Sequence, residues 1–195
     1  MNRSIALAGL LGFSVWAMSG LTFAQLPAPC SLISEKEALT LVGGPLGEIA
    51  KAEMKPTAQN DHTHITECGF FPKGFDQRKA TRPPERGLEL SLMATRNNAA
   101  AKAHYESLIS SAKEMAKEAQ GFAGWKVKVS PLSDMGVTAT LEVKTSEPEP
   151  KVVYHVASAH FLKGGVTGTL IVWQTAGPAD QIARAAAKLV IAKLP

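Results

Sequence analysis

Residues 88–93 read LELSLM and form the clearest alternating stretch of this sequence. Leucine occupies every second position, and Glu89, Ser91 and Met93 fill the positions between. Because successive side chains of a β-strand point to opposite faces of the sheet, this period of two predicts a strand with one buried face. The same period recurs at 125–130 and 137–144, which we predict to form a meander.

Helical signals divide the strands into two groups. Ser34 and Glu37 have the spacing of a capping box, which predicts a short first helix ending at Gly43. Apolar residues at three- and four-residue steps predict a long helix from Asn98 to Gly121 and a last helix over 178–194. The remaining predicted strands cover 48–55, 63–71, 152–162 and 166–175.

The order of these elements determines the predicted fold class. Strands that cluster between helices favour a mostly antiparallel sheet with the helices laid on one face. We therefore predict an α+β fold with a sheet of about seven strands and three helices, in the order α-βββ-α-ββββ-α.

The N-terminus has the three parts of a secretory signal peptide. A positive start at Arg3 precedes an apolar stretch over 5–18, and residues 22–24 read TFA, which places small residues where signal peptidase cleaves. We predict a signal peptide over 1–24 and a single α+β domain over 25–195. The mature protein is expected in the periplasm or outside the cell, without a transmembrane segment, because no later stretch of about 20 residues is apolar and uncharged.

The chain has two cysteines, and export would place both in an oxidising compartment. We therefore predict a structural disulfide between Cys30 and Cys68, whose loop is worth about 4 kcal/mol in the chain-entropy model. A lipid anchor on Cys30 is the alternative. It is disfavoured because Pro27 and Pro29 stand where lipoproteins carry a Leu-like and a small residue.

Three short motifs resemble those of exported bacterial proteins of unknown function that open with Cys-Ser-Leu-Leu-Thr. The motifs are PCSLISEKEA at 29–38, LVGGPLG at 41–47 and ECGF at 67–70. In such families the first cysteine pairs with one on an early strand, and the fold is similar to the Mog1/PsbP-like α+β sandwich. The resemblance implies the same bridge and fold, and it implies no catalytic residue.

Positive charge is concentrated in one loop. Between residues 73 and 86 five cations face two carboxylates, a local excess equal to that of the mature chain, which has 20 basic and 17 acidic residues once Arg3 is removed. Such a loop suits an anionic envelope polymer or lipid headgroups, and a solvated connection between strands is the alternative. The candidate partner-binding residues are Lys73, Arg78, Lys79, Arg82 and Arg86.

Two histidines form the best metal candidate. His62 and His64 are two residues apart, so on a strand they share a face and can hold zinc or copper with a third ligand. Their motif lacks a third ligand, and we therefore predict neither a metal nor another cofactor. Four large aromatic residues are interpreted as core, with a ligand cleft between the sheet and a helix as the alternative. They are Trp125, Tyr154, Phe161 and Trp173.

The sequence contains no nucleophile elbow, no phosphate-binding loop and no metalloprotease motif. We therefore predict an exported, non-enzymatic binding or envelope-associated protein. A metal-dependent hydrolase using His62 and His64, or an inhibitor of an extracellular enzyme, are the alternatives. The expected partner is an anionic envelope component or an extracellular protein, and not nucleic acid, because export separates the chain from it.

Overall fold

The computed structural model describes residues 26–43, 50–54, 63–75, 79–80, 82–95, 97–119, 125–149 and 152–195. The predicted signal peptide lies outside these residues. The helices of the described part are α1 (Pro29–Leu32), α2 (Glu35–Val42), α3 (Asn98–Glu118) and α4 (Ala179–Lys193). The strands are β1 (Ala50–Met54), β2 (Thr63–Phe70), β3 (Arg86–Thr95), β4 (Trp125–Pro131), β5 (Thr138–Glu149), β6 (Val152–Lys163) and β7 (Val166–Gln174).

The seven strands form one sheet in the order β1-β2-β3-β7-β6-β5-β4. Every neighbouring pair is antiparallel. The predicted α+β class is therefore confirmed, and the strands fall into the predicted groups of three and four. None of the described helices combines the length and the apolarity needed to cross a membrane.

Two local features differ from the predicted elements. The short helix α1 precedes α2 and was not predicted, because four residues carry too little periodicity; Pro29 begins it at a position that suits proline. Strand β5 runs on to Glu149, through a segment predicted as a turn. Its register with β6 shifts between Ser146 and Glu149, and this irregularity accommodates Pro148, which has no amide hydrogen to donate.

The helices lie on both faces of the sheet, which shows that the expectation of a single covered face was wrong. One face, here called the core face, carries Leu88, Leu90 and Leu92 and is covered by α1, α2 and α4. The opposite face, here called the polar face, is crossed by α3. The physical reason is that α3 connects the inner strand β3 to the edge strand β4 and so passes over the sheet, where the core face is already covered by the other helices.

Hydrogen bonds fix α3 on the polar face. Thr167 Oγ1 donates to the backbone oxygen of Ala101 at 3.2 Å, and the hydroxyls of Tyr105 and Thr140 lie 2.7 Å apart. Thr167 and Thr140 alternate with the core-face residues of β7 and β5. Both bonds therefore join α3 to the side of the sheet away from the leucines of β3.

The core face is packed tightly at the centre of the sheet. Alanines 183, 186 and 187 of α4 are fully buried, so this helix lies close to the strands. Phe161 of β6 is also fully buried, and its ring lies across Gly168 of the neighbouring strand. A Cβ atom built on Gly168 would lie only 1.9 Å from Cζ of Phe161. Glycine is therefore required at this position by packing.

We expect Gly168→Ala to lower the free energy of unfolding by about 1–3 kcal/mol, the usual cost of overpacking a core. Gly165→Ala in the same hairpin is the control, because the nearest atom to its added Cβ is 3.4 Å away. Urea unfolding of both variants measures the difference. Equal stabilities for the two variants would contradict the assigned packing of Phe161.

The first two helices are fastened to the rest of the protein by a disulfide and by a lysine. Cys30 of α1 and Cys68 of β2 form a disulfide with a Cα–Cα distance of 5.4 Å, as the sequence predicted. Lys193, at the end of α4, donates to the backbone oxygen of Leu32 and to Oε1 of Glu37, both at 2.9 Å. The start of the described chain is thus held against both β2 and α4.

The two carboxylate oxygens of Glu37 make different contacts. Its Oε2 accepts from the backbone N–H of Ser34 at 2.8 Å, which completes the predicted capping box of α2. Its other oxygen pairs with Lys193. The backbone hydrogen bond from Ser34, followed by the hydrogen bond from Lys193, lowers the pKa of Glu37 from 4.5 to about 2.

A carboxylate with a lowered pKa stabilises the folded state above its unfolded pKa, and this contribution is lost as the pH falls through the folded pKa. We therefore expect Glu37→Gln to be less stable than the parent at pH 7, with the difference shrinking between pH 4.5 and pH 2. Thermal unfolding across this range measures it. The control is Glu35→Gln, an exposed residue in the same helical turn. If the stability difference between the parent and Glu37→Gln does not change with pH, the contacts assigned to the Glu37 carboxylate are wrong.

Candidate functional site

The loop over residues 71–85, between β2 and β3, is here called the basic loop. Its described residues form an open cleft of about 520 Å³ with the beginning of β6. The sheet order explains this meeting, because β7 lies between β3 and β6 and pairs with both. Gln174 of β7 is in register with Arg86 on one side and His155 on the other. The backbone of Glu85 is held there too, since the backbone N–H of Thr175 donates to the backbone oxygen of Glu85 at 2.9 Å. Tyr154 of β6 therefore completes the cleft.

An aromatic stack attaches one wall of the cleft to the sheet. The ring centroid of Phe71 lies 5.3 Å from that of Phe75, which lines the cleft, and 5.6 Å from that of Trp173. Phe71 is buried over two glycines. A Cβ on Gly69 would lie 2.5 Å from its ring, and one on Gly87 would lie 2.8 Å from it. These glycines leave room for the ring, and the ring in turn positions Phe75.

A tight turn presents Lys73 at the cleft. The backbone N–H of Phe75 donates to the oxygen of Pro72 at 3.0 Å, and Gly74 has a φ of 83°. That positive φ at the third turn residue is typical of a turn that favours glycine there. Lys73 lies at the tip of the turn, with its side chain exposed.

The structure divides the five predicted partner-binding residues. Lys73 and Arg82 line the cleft, and both are exposed. Lys79 is exposed in the same loop. Arg86 begins β3 and is not among the residues that line the cleft; strand alternation directs its side chain to the core face, with that of Leu88. Arg78 lies outside the described residues.

The cleft is not uniformly positive. Glu85 also lines it and is exposed, so a carboxylate lies in the same cleft as Lys73 and Arg82. Three proline rings complete the lining, at positions 72, 83 and 84. The described lining therefore combines cations, rings and a carboxylate, and these groups can recognise the charge and the shape of a ligand.

The four aromatic candidates have different positions. Phe161 is a core residue, as interpreted, and Trp173 packs against Phe71. Tyr154 instead lines the cleft beside the basic loop, and not the cleft between sheet and helix that the sequence left open as an alternative. The side chain of Trp125 is not among those described. No local pattern distinguishes Tyr154, because its position follows from the order of strands in the sheet.

The histidine pair cannot be assembled into a metal site from the described residues. His62 lies outside them, and His64 is described only as part of β2, where it is in register with Ala94. Across the described ranges, no group of three or more His, Cys, Asp or Glu side chains is placed to hold a metal ion. The hydrolase alternative stays a hypothesis about these two histidines.

A second polar cluster, which the sequence analysis missed, lies on the polar face. His160 and Glu142 are buried with Nε2 and Oε2 3.7 Å apart, and Lys144 Nζ lies 3.3 Å from the other carboxylate oxygen. His160 Nδ1 is 3.1 Å from Thr169 Oγ1. Burial alone would raise the pKa of Glu142, but its contacts with His160 and Lys144 outweigh burial and lower it. The cluster joins three adjacent strands, and only strand pairing could reveal it.

We expect the fluorescence emission of Trp173 to report on the aromatic stack. In a Trp125→Phe background, Trp173 is the single tryptophan of a chain cleaved after Ala24. Phe71→Leu keeps an apolar side chain but removes the ring contact, so the fluorescence of Trp173 should shift to longer wavelength as water reaches the indole. Met115→Leu, at an exposed position on α3, should leave the emission unchanged. An unshifted spectrum for Phe71→Leu would contradict the stack.

Comparisons with known proteins show similarity only at the level of structure. No family model matches the sequence, and no curated protein matches it. The extracellular domain of PknH from Mycobacterium tuberculosis has a similar structure, with a TM-score of 0.50 and 12% identity over 83% of this chain and 96% of that one. LpqN from the same organism, described as involved in cell envelope biogenesis, aligns with a TM-score of 0.28 and 14% identity over 76% and 83%. The first similarity shows a shared fold.

Proposed function

We propose that this protein is exported and acts as a binding protein of the cell envelope, with the basic loop cleft as its contact surface for an anionic component. The observation that carries this proposal is the cleft itself, in which Lys73 and Arg82 lie together with Phe75 and Tyr154. Cations spaced along a flexible loop would attract any anion weakly. Cations in a structured concave site can select one.

Export is supported by independent features of the chain. The first 24 residues have the pattern of a signal peptide, and the Cys30–Cys68 disulfide is of a kind that persists in oxidising compartments. The fold is shared with a domain described as extracellular. Together these features favour a periplasmic or secreted location, where polymers and lipids of the envelope are the abundant anions.

The electrostatics of the loop favour an anionic partner. Lys73, Lys79 and Arg82 are all exposed on one loop, and Glu85 is the described carboxylate among them. Like charges on a concave surface raise the local concentration of counter-ions and steer an anionic partner toward the cleft. Each exposed ion pair contributes about 0.2–1 kcal/mol, so several contacts are needed for useful affinity. The cleft provides such a set.

We expect the double charge reversal Lys73→Glu with Arg82→Glu to weaken binding of an anionic partner by about tenfold or more. The probes are polyphosphate, polyglutamate, polygalacturonate and phosphatidylglycerol vesicles, each tested by titration at low and physiological salt. The proposal requires that at least one of them binds the parent protein.

The matched control is Lys126→Glu with Lys128→Glu. Both lysines are exposed on the edge strand β4, which β5 separates from Tyr154 on β6. This control makes the same change of net charge away from the cleft and should retain most of the binding. Equal losses for the two double variants would mean that net charge alone attracts the probe, and the proposal would fail.

A further inference from the structure

We infer that the cleft recognises an acidic sugar unit of an envelope polysaccharide. This inference rests on the proposed function and names its ligand class. It joins three features of the described lining of the cleft, namely the ring walls, the cations Lys73 and Arg82, and the carboxylate of Glu85. Each feature matches a different part of an acidic sugar, and no simpler anion matches all three.

The ring walls match the apolar face of a pyranose. Phe75 and Tyr154 contribute aromatic rings, and prolines 72, 83 and 84 contribute rigid saturated rings. Such side chains lose little conformational entropy on binding, so they make efficient contact surfaces. Phe75 is further immobilised by its contact with Phe71. A pyranose presents a flat array of C–H groups, which stacks on surfaces of this kind.

The charged groups match the substituents of an acidic sugar. Lys73 and Arg82 suit a carboxylate or a phosphate group. Glu85 accepts hydrogen bonds only, and sugar hydroxyls are donors that can satisfy it. A polyacid without hydroxyl groups, or a phosphate ion, offers Glu85 fewer donors than a sugar does, and its negative charge is repelled by the carboxylate. The carboxylate within a cationic cleft therefore favours an anion that also carries hydroxyl groups.

A lipid surface is a poorer match. Membrane-binding loops insert large apolar side chains, but the exposed large apolar residues of the described chain are Leu39 on α2 and Met115 on α3, away from this loop. Phe75 is engaged by Phe71 instead. Electrostatic attraction alone contributes about 1 kcal/mol per cation at an anionic bilayer, and Glu85 offsets part of it.

The dimensions of the cleft agree with this ligand class. Its volume of about 520 Å³ lies within the range of roughly 300–1,000 Å³ that is usual for small-molecule sites. The cleft is open, so a sugar unit bound in it can remain part of a longer chain. A polymer can therefore be bound at an internal residue.

The first experiment measures binding of the mature chain to matched probes by calorimetry. Tetragalacturonate and a phosphomannan oligosaccharide carry both rings and negative charge. Methyl-esterified tetragalacturonate keeps the rings without the charge, tetraglutamate keeps the charge without the rings, and phosphatidylglycerol vesicles present a lipid surface. We expect at least one acidic saccharide to bind about tenfold more tightly than each of the other three probes.

The second experiment tests the ring contact at Tyr154. Tyr154→Phe keeps the ring and should bind the preferred saccharide within about twofold of the parent, whereas Tyr154→Leu keeps apolar bulk without a ring and should bind about tenfold more weakly. The two variants are first shown to have the same melting temperature. Equal saccharide binding by the two variants would overturn the inference.

The outcomes separate this inference from the proposed function. If tetraglutamate or the vesicles bind as tightly as both acidic saccharides, and charge reversal at Lys73 and Arg82 weakens that binding, the saccharide inference is wrong and the proposed function stands. If none of the anionic probes binds the parent protein, both fail. Tighter binding of an acidic saccharide that depends on the ring at position 154 supports both.

Discussion

The pairing of β3 with β7 holds the two groups of strands together in one sheet. It joins a meander at the beginning of the chain to one at its end, from Arg86 opposite Gln174 to Ala94 opposite Val166. The pairing is specified by burial, because a shift of one residue would turn the β3 leucines away from the core face. Since β6 lies on the other side of β7, the same pairing brings the basic loop to Tyr154.

The end of β2, where the basic loop begins, is held on both faces of the sheet. Cys68 is fully buried on the core face and is bonded to Cys30, and Phe71 packs on the polar face against Trp173. A loop that begins at such an anchored point has fewer conformations to lose when a ligand binds. Preorganisation of this kind raises affinity without additional contacts. The disulfide and the aromatic stack therefore both limit the number of conformations open to the basic loop.

The two faces of the sheet are stabilised in different ways. The core face is apolar and closely covered by the alanines of α4. The polar face includes the buried Glu142 and His160, which lie 3.7 Å apart, and Lys144 Nζ lies 3.3 Å from the same carboxylate. Oε1 of Glu142 and Nε2 of His160 are buried without a hydrogen-bond partner among the described residues. If helices covered only the core face, the alternating polar residues of β5 would face water. Position 142 shows that such a residue can be buried when a crossing helix covers the second face.

Features that depend on neighbours along the chain can be predicted from the amino-acid sequence. These include the strand alternation at 88–93, the capping box at Ser34 and Glu37, and the concentration of charge in the basic loop. The folded arrangement is needed to see that Tyr154 joins Lys73 in the cleft while Arg86 does not, and that helices cover both faces. The physical reason is that alternation gives the spacing of side chains within one strand, whereas the order of strands is chosen by burial summed over residues far apart in the chain.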